Sequence, residues 1–168
     1  MTTSTSAALA DRIGAAFQPG PYQLPDGRTL KCYFDPYRLT CDPALLRETA
    51  AALAALLPPD TEVVAGPALA AIPLVTAVSL HTGLPAAYVR AAPKEHGTRR
   101  QIEGADLDGR RTALVDDTAR SGTSLLRIAG ARVTTALCVL DRDAGAAALL
   151  TEHRMTLSAL LTNQGSAA

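Results

Sequence analysis

The stretch ALVDDTARSGTSLL, residues 113–126, runs from an apolar segment into two adjacent aspartates and then into a turn rich in hydroxyl side chains. The apolar segment is typical of a buried strand, and the turn is typical of a helix start. Backbone N–H groups at such a turn form a cup for an anion, which four hydroxyls can complete, those of Thr118, Ser121, Thr123 and Ser124. Because the carboxylates of Asp116 and Asp117 suit hydroxyl groups, the stretch predicts a sugar-phosphate ligand.

A purely structural role is the alternative for the same stretch. An acidic turn after a strand and a serine N-cap before a helix need no ligand. The Gly-Lys-Ser/Thr ending of a Walker loop is missing, which argues against a P-loop. Arg120 interrupts the small residues of the turn, and it points either into a ligand pocket or into solvent.

Short Val- and Ala-rich segments alternate with helical ones through the rest of the chain. Strands are predicted at 61–66, 86–90, 111–117, 132–141 and within 154–162, and helices at 69–82, 121–130 and 143–152. This alternation predicts an α/β fold with a central parallel sheet flanked by helices on both faces. The carboxyl ends of its strands meet along one edge, where open α/β sheets bind ligands.

The amino-terminal third predicts a helix, a hairpin and a second helix. The first helix is expected over 6–17, and Pro19, Gly20 and Pro21 break it. Residues 22–35 hold an Asp-Gly turn between two short runs, which indicates a hairpin or a hood-like extension. Asp42 and Pro43 open an Ala/Leu-rich helix that runs to about residue 57. We expect a single domain over 1–168, with residues 1–5 disordered.

Residues 91–109, AAPKEHGTRRQIEGADLDG, are polar and charged and have no sustained period. A long loop inside a compact α/β domain is usually an active-site lid or a disordered stretch. Its basic residues, with Arg90 just before it, are Lys94, His96, Arg99 and Arg100. We therefore expect a mobile basic lid.

Composition limits the class of protein. Sixteen basic residues balance sixteen acidic ones, which argues against a nucleic-acid-binding domain. Three irregularly spaced cysteines fit a reduced cytosolic protein better than a disulfide framework. The N-terminus lacks the features of a signal peptide, and no apolar stretch is long enough for a membrane span. We expect a soluble cytoplasmic protein without a membrane or nucleic-acid partner.

The pattern V-D-D-x-x-x-S-G-T-S at 115–124 resembles the phosphoribosyl-pyrophosphate (PRPP) motif of type I phosphoribosyltransferases. Four further segments are similar, in this order, to segments of the orotate phosphoribosyltransferases: 24–48, 63–90, 93–104 and 141–146. The lid sequence, with Lys94 and His96, is the most specific marker of that branch. The resemblance implies the type I phosphoribosyltransferase fold, a central parallel sheet with helices around it and an N-terminal hood or hairpin.

The resemblance also implies a role for each matching position. Asp116 and Asp117 would bind the ribose hydroxyls. The 5′-phosphate would lie on Thr118, Ala119, Arg120, Ser121, Gly122, Thr123 and Ser124. The pyrophosphate would meet the backbone of 66–71, including Leu69 and Ala70, and the side chains of Arg90, Lys94 and His96. Tyr33 and Phe34 would cover the base, although both could be plain hairpin core, and Arg142 would bind it, with Arg120 at its boundary. The catalytic groups would be Lys94, His96, Asp116 and Asp117.

The function that the resemblance implies is transfer of phosphoribosyl from PRPP to orotate, giving orotidine 5′-monophosphate and pyrophosphate in pyrimidine biosynthesis. The cofactor would be Mg²⁺, held by PRPP without direct protein ligands and through water by Asp116 and Asp117. A homodimer would share lid residues across its interface. A divergent paralogue that ribosylates another acidic heterocycle, and a non-catalytic PRPP-sensing regulator, are the alternatives.

Some positions depart from the family pattern. Ala91 stands where a second cation is common, and Arg120 stands where a threonine is common. Ala70 and Ala71 replace small glycine-rich alternatives, and a positive φ there would strain alanine. These changes remove positive charge from the pyrophosphate site and add it near the base site.

Overall fold

The computed structural model describes residues 5–23, 27, 29–97, 99–123 and 132–162. A hairpin is formed by β1 (Phe17–Gln23) and β2 (Thr29–Phe34). The main sheet comprises β3 (Val63–Pro67), β4 (Ala86–Val89), β5 (Ile102–Gly104), β6 (Arg111–Ala119), β7 (Arg132–Asp141) and β8 (Thr156–Thr162). The helices are α1 (Ala7–Gly14), α2 (Pro36–Thr40), α3 (Pro43–Ala54), α4 (Ile72–Thr82) and α5 (Ala146–Glu152).

The six-stranded sheet has the order β5-β4-β3-β6-β7-β8. Neighbouring strands are parallel except β4 and β5, which pair antiparallel. From β3 the chain moves outward to β4, whereas from β6 it moves outward to β7 and β8 in the opposite direction. The order therefore reverses between β3 and β6, which is where open α/β sheets leave a crevice for ligands. The predicted α/β class with a mainly parallel sheet is confirmed.

Both faces of the sheet are covered, because successive side chains of a strand point to opposite faces. Val64 and Val115 belong to the core cluster that includes residues of α1, α3 and α4. Val63 and Leu114, one position earlier on the same strands, belong to a second cluster with Leu150 of α5. These strands are apolar along nearly their whole length, because alternate side chains pack on opposite faces of the sheet and both faces are buried.

The amino-terminal elements differ in their bounds from those predicted. The first helix ends at Gly14 instead of 17, and β1 (Phe17–Gln23) runs through Pro19, Gly20 and Pro21, where a break was expected. Phe17 pairs with Phe34, and their ring centroids lie 5.1 Å apart. The register of the hairpin shifts between Pro19 and Tyr22, and such an irregularity is where a two-stranded ribbon tolerates proline.

Helix capping follows the prediction more closely. Asp42 Oδ1 accepts the N–H groups of Ala44 and Leu45, at 2.8 and 3.1 Å, and Pro43 is the first residue of α3. The short helix α2 was not predicted, although Asp35 caps it in the same way through the N–H of Tyr37. Most of the predicted helix at 121–130 lies outside the described residues.

The segment 91–109 is more ordered in secondary structure than expected. Residues 102–104 form β5, whose antiparallel pairing with β4 makes the segment a long hairpin. Leu107 is buried in the second core cluster. The expectation of an irregular loop therefore holds for the part up to residue 101 and is corrected for the rest, because Ile102 and Leu107 add apolar anchors. The mobility of the loop stays a prediction.

The two ends of the chain lie near one another where they are described. The Thr5 hydroxyl donates to the carbonyl oxygen of Leu160 at 2.9 Å. Of the segment 1–5 that was expected to be disordered, Thr5 forms this bond and so corrects the expectation, and residues 1–4 lie outside the described range. Within that range, no helix combines the length and the apolar character needed to cross a bilayer.

Candidate active site

At the switch point, where the strand order reverses between β3 and β6, the loop after β3 lies close to the end of β6. A Cβ at Gly66 would lie 2.3 Å from the carbonyl oxygen of Val115, so only glycine allows the strands this approach. The N–H of Ala68 donates to the carbonyl of Val89 at 2.7 Å, which fixes the loop beside the end of β4. Leu69 is 68% exposed. The loop therefore presents backbone and an open surface at the ligand edge.

Alanine is accommodated in this loop without a positive φ. None of the residues 67–71 has a positive φ, and Ala71 has φ −75° and ψ −17°. The peptide bond between Ala68 and Leu69 is cis. The strain that a positive φ would cause at Ala70 or Ala71 does not arise.

Asp116 and Asp117 lie near the carboxyl end of β6, where they were predicted. Asp116 is 7% exposed, and Asp117 is half-buried. The N–H of Asp117 donates to Asp116 Oδ1 at 2.8 Å. Burial, followed by the side-chain hydrogen bond and the charge of Asp117, raises the pKa of Asp116 to about 8, although the bond from the N–H of Asp117 lowers it in part. The pair therefore favours hydroxyl donors or a cation as its partner.

The turn after β6 carries the predicted hydroxyls. Ser121 and Thr123 are exposed, and their hydroxyl oxygens lie 2.9 Å apart. Gly122 has φ +76°, and a Cβ there would lie 3.3 Å from the carbonyl oxygen of Ala146 in α5. A left-handed glycine packed on a helix sets the turn so that its neighbours project outward.

Not every residue of the predicted phosphate cup offers a polar group. Thr118 is half-buried and Ala119 is buried, so Ala119 offers only its backbone. Its carbonyl already accepts the N–H of Arg142 at 2.9 Å. Ser124 lies outside the described residues. The structure thus brings Ser121 and Thr123 together as the hydroxyl pair of the turn.

An open cleft of about 750 Å³ lies between the loop after β3 and the hairpin after β4. Ala68, Leu69 and Ile72 form one side. The other side comprises residues 90–96, which include the three predicted pyrophosphate contacts, Arg90, Lys94 and His96. One cleft therefore gathers these three side chains with the exposed loop, as expected for an anion site.

The base of the lid hairpin is held by backbone and side-chain hydrogen bonds. The N–H of Arg90 donates to the carbonyl of Gln101 at 2.9 Å, and Gln101 Nε2 donates back to the carbonyl of Arg90 at 3.1 Å. The N–H of Lys94 donates to the carbonyl of Arg100 at 3.3 Å. Lys94 Nζ also forms an ion pair with Glu103 of β5. These contacts fix the direction in which the hairpin leaves the sheet.

The predicted base-binding arginines lie at the ends of adjacent strands. Ala119 of β6 pairs with Asp141 of β7, so Arg120 and Arg142 follow side by side. Arg142 is half-buried, whereas Arg120 is exposed. Two guanidinium groups at the ligand edge suit a planar anion, since each offers a fork of N–H donors.

The two predicted aromatic covers have different environments. Tyr33 is 43% exposed, and its ring centroid lies 5.5 Å from that of Tyr22. Phe34 is 3% exposed and packs on Phe17 within the main core. The expectation that Phe34 covers a base is therefore corrected, because its ring is taken up by the core. Tyr33 stays a prediction.

Two residues that hold the lid were not identified from the sequence, Gln101 and Glu103. Neither belongs to a recognisable short motif, and both lie in a polar segment whose apolar residues show no helical or strand periodicity. The Ile102-Glu103-Gly104 run was a weak signal of an edge strand. Its pairing partner is β4, across a 12-residue connection (90–101), and local patterning does not reveal such a pairing.

The carboxylates of Asp116 and Asp117 could contact a metal ion. In the described part of the chain, no group of three or more His, Cys, Asp or Glu side chains could form a protein cage for a metal. Two adjacent carboxylates at an open strand end are instead typical of Mg²⁺ that is held largely by substrate phosphates and water. Asp116 is buried beside a second carboxyl group, so its ionised form lacks water and a nearby positive charge would stabilise it. The residues therefore fit a substrate-borne ion.

Comparisons with known sequences identify relatives that share one name. No protein-family model matches the chain. The orotate phosphoribosyltransferase of Halobacterium salinarum is 38% identical over 168 residues, covering 96% of this chain and 95% of that protein. The orotate phosphoribosyltransferase of a Nocardioides species is 40% identical over 144 residues, covering 82% of this chain and 80% of that protein.

Solved structures agree with these relatives. The Mycobacterium tuberculosis orotate phosphoribosyltransferase in complex with Fe(III) dicitrate has a TM-score of 0.82 and 29% identity, covering 94% of this chain and 95% of that one. The same enzyme in complex with PRPP has a TM-score of 0.77 and 27% identity, covering 93% and 94%. A Leishmania donovani adenine phosphoribosyltransferase, at 16% identity, TM-score 0.70 and coverages of 95% and 82%, shares the fold.

Proposed function

Since the chain belongs to the orotate phosphoribosyltransferase family of pentosyltransferases, we propose that it transfers the phosphoribosyl group of PRPP to orotate. The products are orotidine 5′-monophosphate and pyrophosphate. The observation that carries the proposal is that Asp116 and Asp117 lie near the carboxyl end of β6, next to β3, whose following loop lines the cationic cleft. The carboxylates, the turn and the cleft match the ribose, the 5′-phosphate and the pyrophosphate of PRPP in that order.

Asp116 and Asp117 accept hydrogen bonds from the ribose hydroxyls in this proposal. The ring nitrogen of orotate attacks C1 while the bond to pyrophosphate breaks, through a state in which the sugar carries positive charge, and the nitrogen gives up its proton to solvent. The half-buried carboxylate of Asp117 stabilises that charge, because electrostatic stabilisation is strong where water is excluded. The hydroxyls of Ser121 and Thr123, with the backbone of the turn, hold the 5′-phosphate.

Arg90, Lys94 and His96 receive the departing pyrophosphate together with the backbone of the loop 67–71. Lys94 and Arg90 neutralise its developing charge. His96, which is exposed in the open cleft, can donate a proton to it. Closure of the hairpin over the cleft excludes water from the cationic sugar.

The family generally uses Mg²⁺ with PRPP. Bound there, the ion adds positive charge against the pyrophosphate oxygens. We propose that Asp116 and Asp117 hold it through water, with the substrate phosphates as its direct ligands. Arg142, held at the end of β7, binds the orotate carboxylate, and Tyr33 packs over the ring.

Steady-state kinetics with PRPP, Mg²⁺ and orotate test the proposal through the loss of orotate absorbance in the ultraviolet. We expect turnover by the parent and a fall in kcat of about a hundredfold or more for Asp117→Asn, since it removes charge stabilisation at C1. The matched control is Asp108→Asn, which changes an exposed aspartate ahead of β6, and it should keep parent activity. Equal activity of Asp117→Asn and the parent would remove the acidic pair from the mechanism.

A further inference from the structure

Glu103 has no role in the proposed reaction, yet it contacts one of the predicted catalytic groups. We propose that Glu103 holds Lys94 in the ligand-free site and exchanges it for pyrophosphate when the ligand binds. Glu103 is then a positioning residue that sets the affinity of the cleft for pyrophosphate. The inference rests on the proposed function, because it takes Lys94 as a pyrophosphate contact.

The two partners of the ion pair differ in how firmly the fold holds them. Glu103 lies on β5, opposite Tyr88 of β4, so its backbone belongs to the sheet. Lys94 lies in the connecting loop and lines the cleft. The side chains of Lys94 and Glu103 are 37% and 28% exposed. A flexible lysine stem can therefore swing between a fixed carboxylate and a ligand in the cleft.

Glu103 also faces more than one cation. Lys94 has the largest effect in lowering the pKa of Glu103, and the charges of Arg90 and Arg100 lower it further. Three like charges on one short hairpin repel one another in an empty site, and one carboxylate among them reduces that repulsion. Glu103 thus supplies, before the ligand arrives, part of the negative charge that pyrophosphate brings.

The contact is suited to exchange because the ligand replaces what it breaks. Lys94 Nζ donates to the carboxylate of Glu103, and this hydrogen bond is the largest cause of the lowered pKa of Glu103. Pyrophosphate oxygens are charged acceptors too, so the lysine exchanges one charge-assisted hydrogen bond for another. Pyrophosphate carries more negative charge than one carboxylate, so Lys94 pairs with pyrophosphate when both are present. Because partly exposed ion pairs contribute little, we expect the competition to change affinity only several-fold.

Isothermal titration of the full chain with inorganic pyrophosphate in the presence of Mg²⁺ tests this exchange. Four proteins form a double-mutant cycle: the parent, Glu103→Gln, Lys94→Gln and the double variant. We expect Glu103→Gln to tighten pyrophosphate binding about two- to fivefold in the parent background. In the Lys94→Gln background the same change should alter Kd by less than about 1.5-fold, because no lysine is left to release.

Glu95→Gln is the matched control. Glu95 is exposed, lines the same cleft and precedes His96, and no ion pair of its side chain occurs among the described residues. Its replacement removes the same unit of charge from the cleft without freeing Lys94. Any effect of Glu95→Gln should therefore be equal in both Lys94 backgrounds.

The outcomes separate this inference from the proposed function. An equal effect of Glu103→Gln in both backgrounds would show a general charge effect and overturn the exchange. Weaker binding by Glu103→Gln would overturn it as well, since Glu103 would then support the bound lid. If the parent binds pyrophosphate and Lys94→Gln weakens binding while Glu103→Gln has no effect, only this inference fails. No binding by the parent would contradict the proposed function itself.

Discussion

Asp116 shows how a single residue trades stability for binding. A carboxyl group that is 7% exposed beside a second carboxyl group loses the water that would stabilise its charge. Its hydrogen bond from the N–H of Asp117 compensates only in part. Strain of this electrostatic kind is common at functional sites, because the ligand supplies the missing partner. In the proposed function the missing partner is a cation or a pair of sugar hydroxyls.

The raised pKa of Asp116 predicts a specific dependence of stability on pH. The folded protein binds this proton more tightly than the unfolded chain, so its stabilising contribution is complete below about pH 4 and is lost as the pH rises to about 8. Asp116→Asn cannot ionise and should be more stable than the parent at pH 8, by on the order of a few kcal/mol. Urea unfolding from pH 4 to pH 9 measures the difference.

Asp108→Asn serves as the exposed control for that experiment, and its unfolding curves should follow those of the parent. Parallel pH profiles for Asp116→Asn and the parent would show that Asp116 ionises as freely in the folded protein as in the unfolded chain. The predicted electrostatic strain would then be absent.

Residue-level prediction from sequence succeeded where the chemistry is local. Asp116 and Asp117 lie near the end of a strand and Gly122 in the turn after it, as predicted, because strand and turn follow one another in the chain, while their binding roles stay predictions. Phe34 was misassigned because the face of a hairpin that meets the core depends on its tertiary contacts. Glu103 was missed because its partner is nine residues away on the other arm of the hairpin.

At the scale of elements, adjacent strand ends set the geometry of the proposed base site. The pairing of β6 with β7 places Arg120 beside Arg142, and the N–H of Arg142 is held by the carbonyl of Ala119. Arg142 is half-buried, so its side chain loses less freedom on binding than that of exposed Arg120. The pre-positioned guanidinium should therefore contribute more to binding of a carboxylate.

Steady-state kinetics of Arg142→Met and Arg120→Thr test whether Arg142 contributes more than Arg120 to orotate binding. Arg142→Met should raise the KM for orotate about ten- to a hundredfold, because this is the usual contribution of a hydrogen bond with a charged group to binding. The KM for PRPP should stay nearly unchanged. Arg120→Thr should raise the KM for orotate less than about threefold. A larger effect for Arg120→Thr would move the carboxylate contact to the turn and give Arg120 the main role in acceptor choice.

Strands were easier to predict than their partners. The Val- and Ala-rich runs predicted β3, β4, β6, β7 and β8, because strands buried on both faces are apolar throughout. β5 has three residues and joins the sheet antiparallel, which its polar surroundings did not indicate. β1 contains two prolines and a glycine, residues that normally mark a break, and its existence depends on pairing with β2.

At the scale of the whole molecule, the homodimer that the resemblance implies would make each lid a shared element. The lid hairpin is anchored in its own subunit through Arg90 and Gln101, while its tip carries Lys94 and His96. In a twofold dimer, a tip that reaches across would place Lys94 of one protomer with the Asp117 of the other. The order of the six strands was not predicted, so neither was the position of the lid at one edge of the sheet.

Mixed dimers test the sharing of lids. Lys94→Gln and Asp117→Asn should each be nearly inactive alone. After unfolding and refolding together, a heterodimer with crossed lids contains one intact site, so about a quarter of parent activity should return. Separately refolded variants that are mixed afterwards form the control. No recovery above that control would mean that each lid serves its own subunit.

The most direct test of the central claim is a competition between acceptors in one reaction. The protein receives PRPP and Mg²⁺ with equal concentrations of orotate, uracil and nicotinate, and mass spectrometry identifies the nucleotides formed. The account predicts orotidine 5′-monophosphate as the main product, with one pyrophosphate released for each. A different nucleotide would indicate a divergent paralogue, and PRPP binding without any nucleotide would indicate a sensor; either result would contradict the assignment of this site to orotate phosphoribosylation.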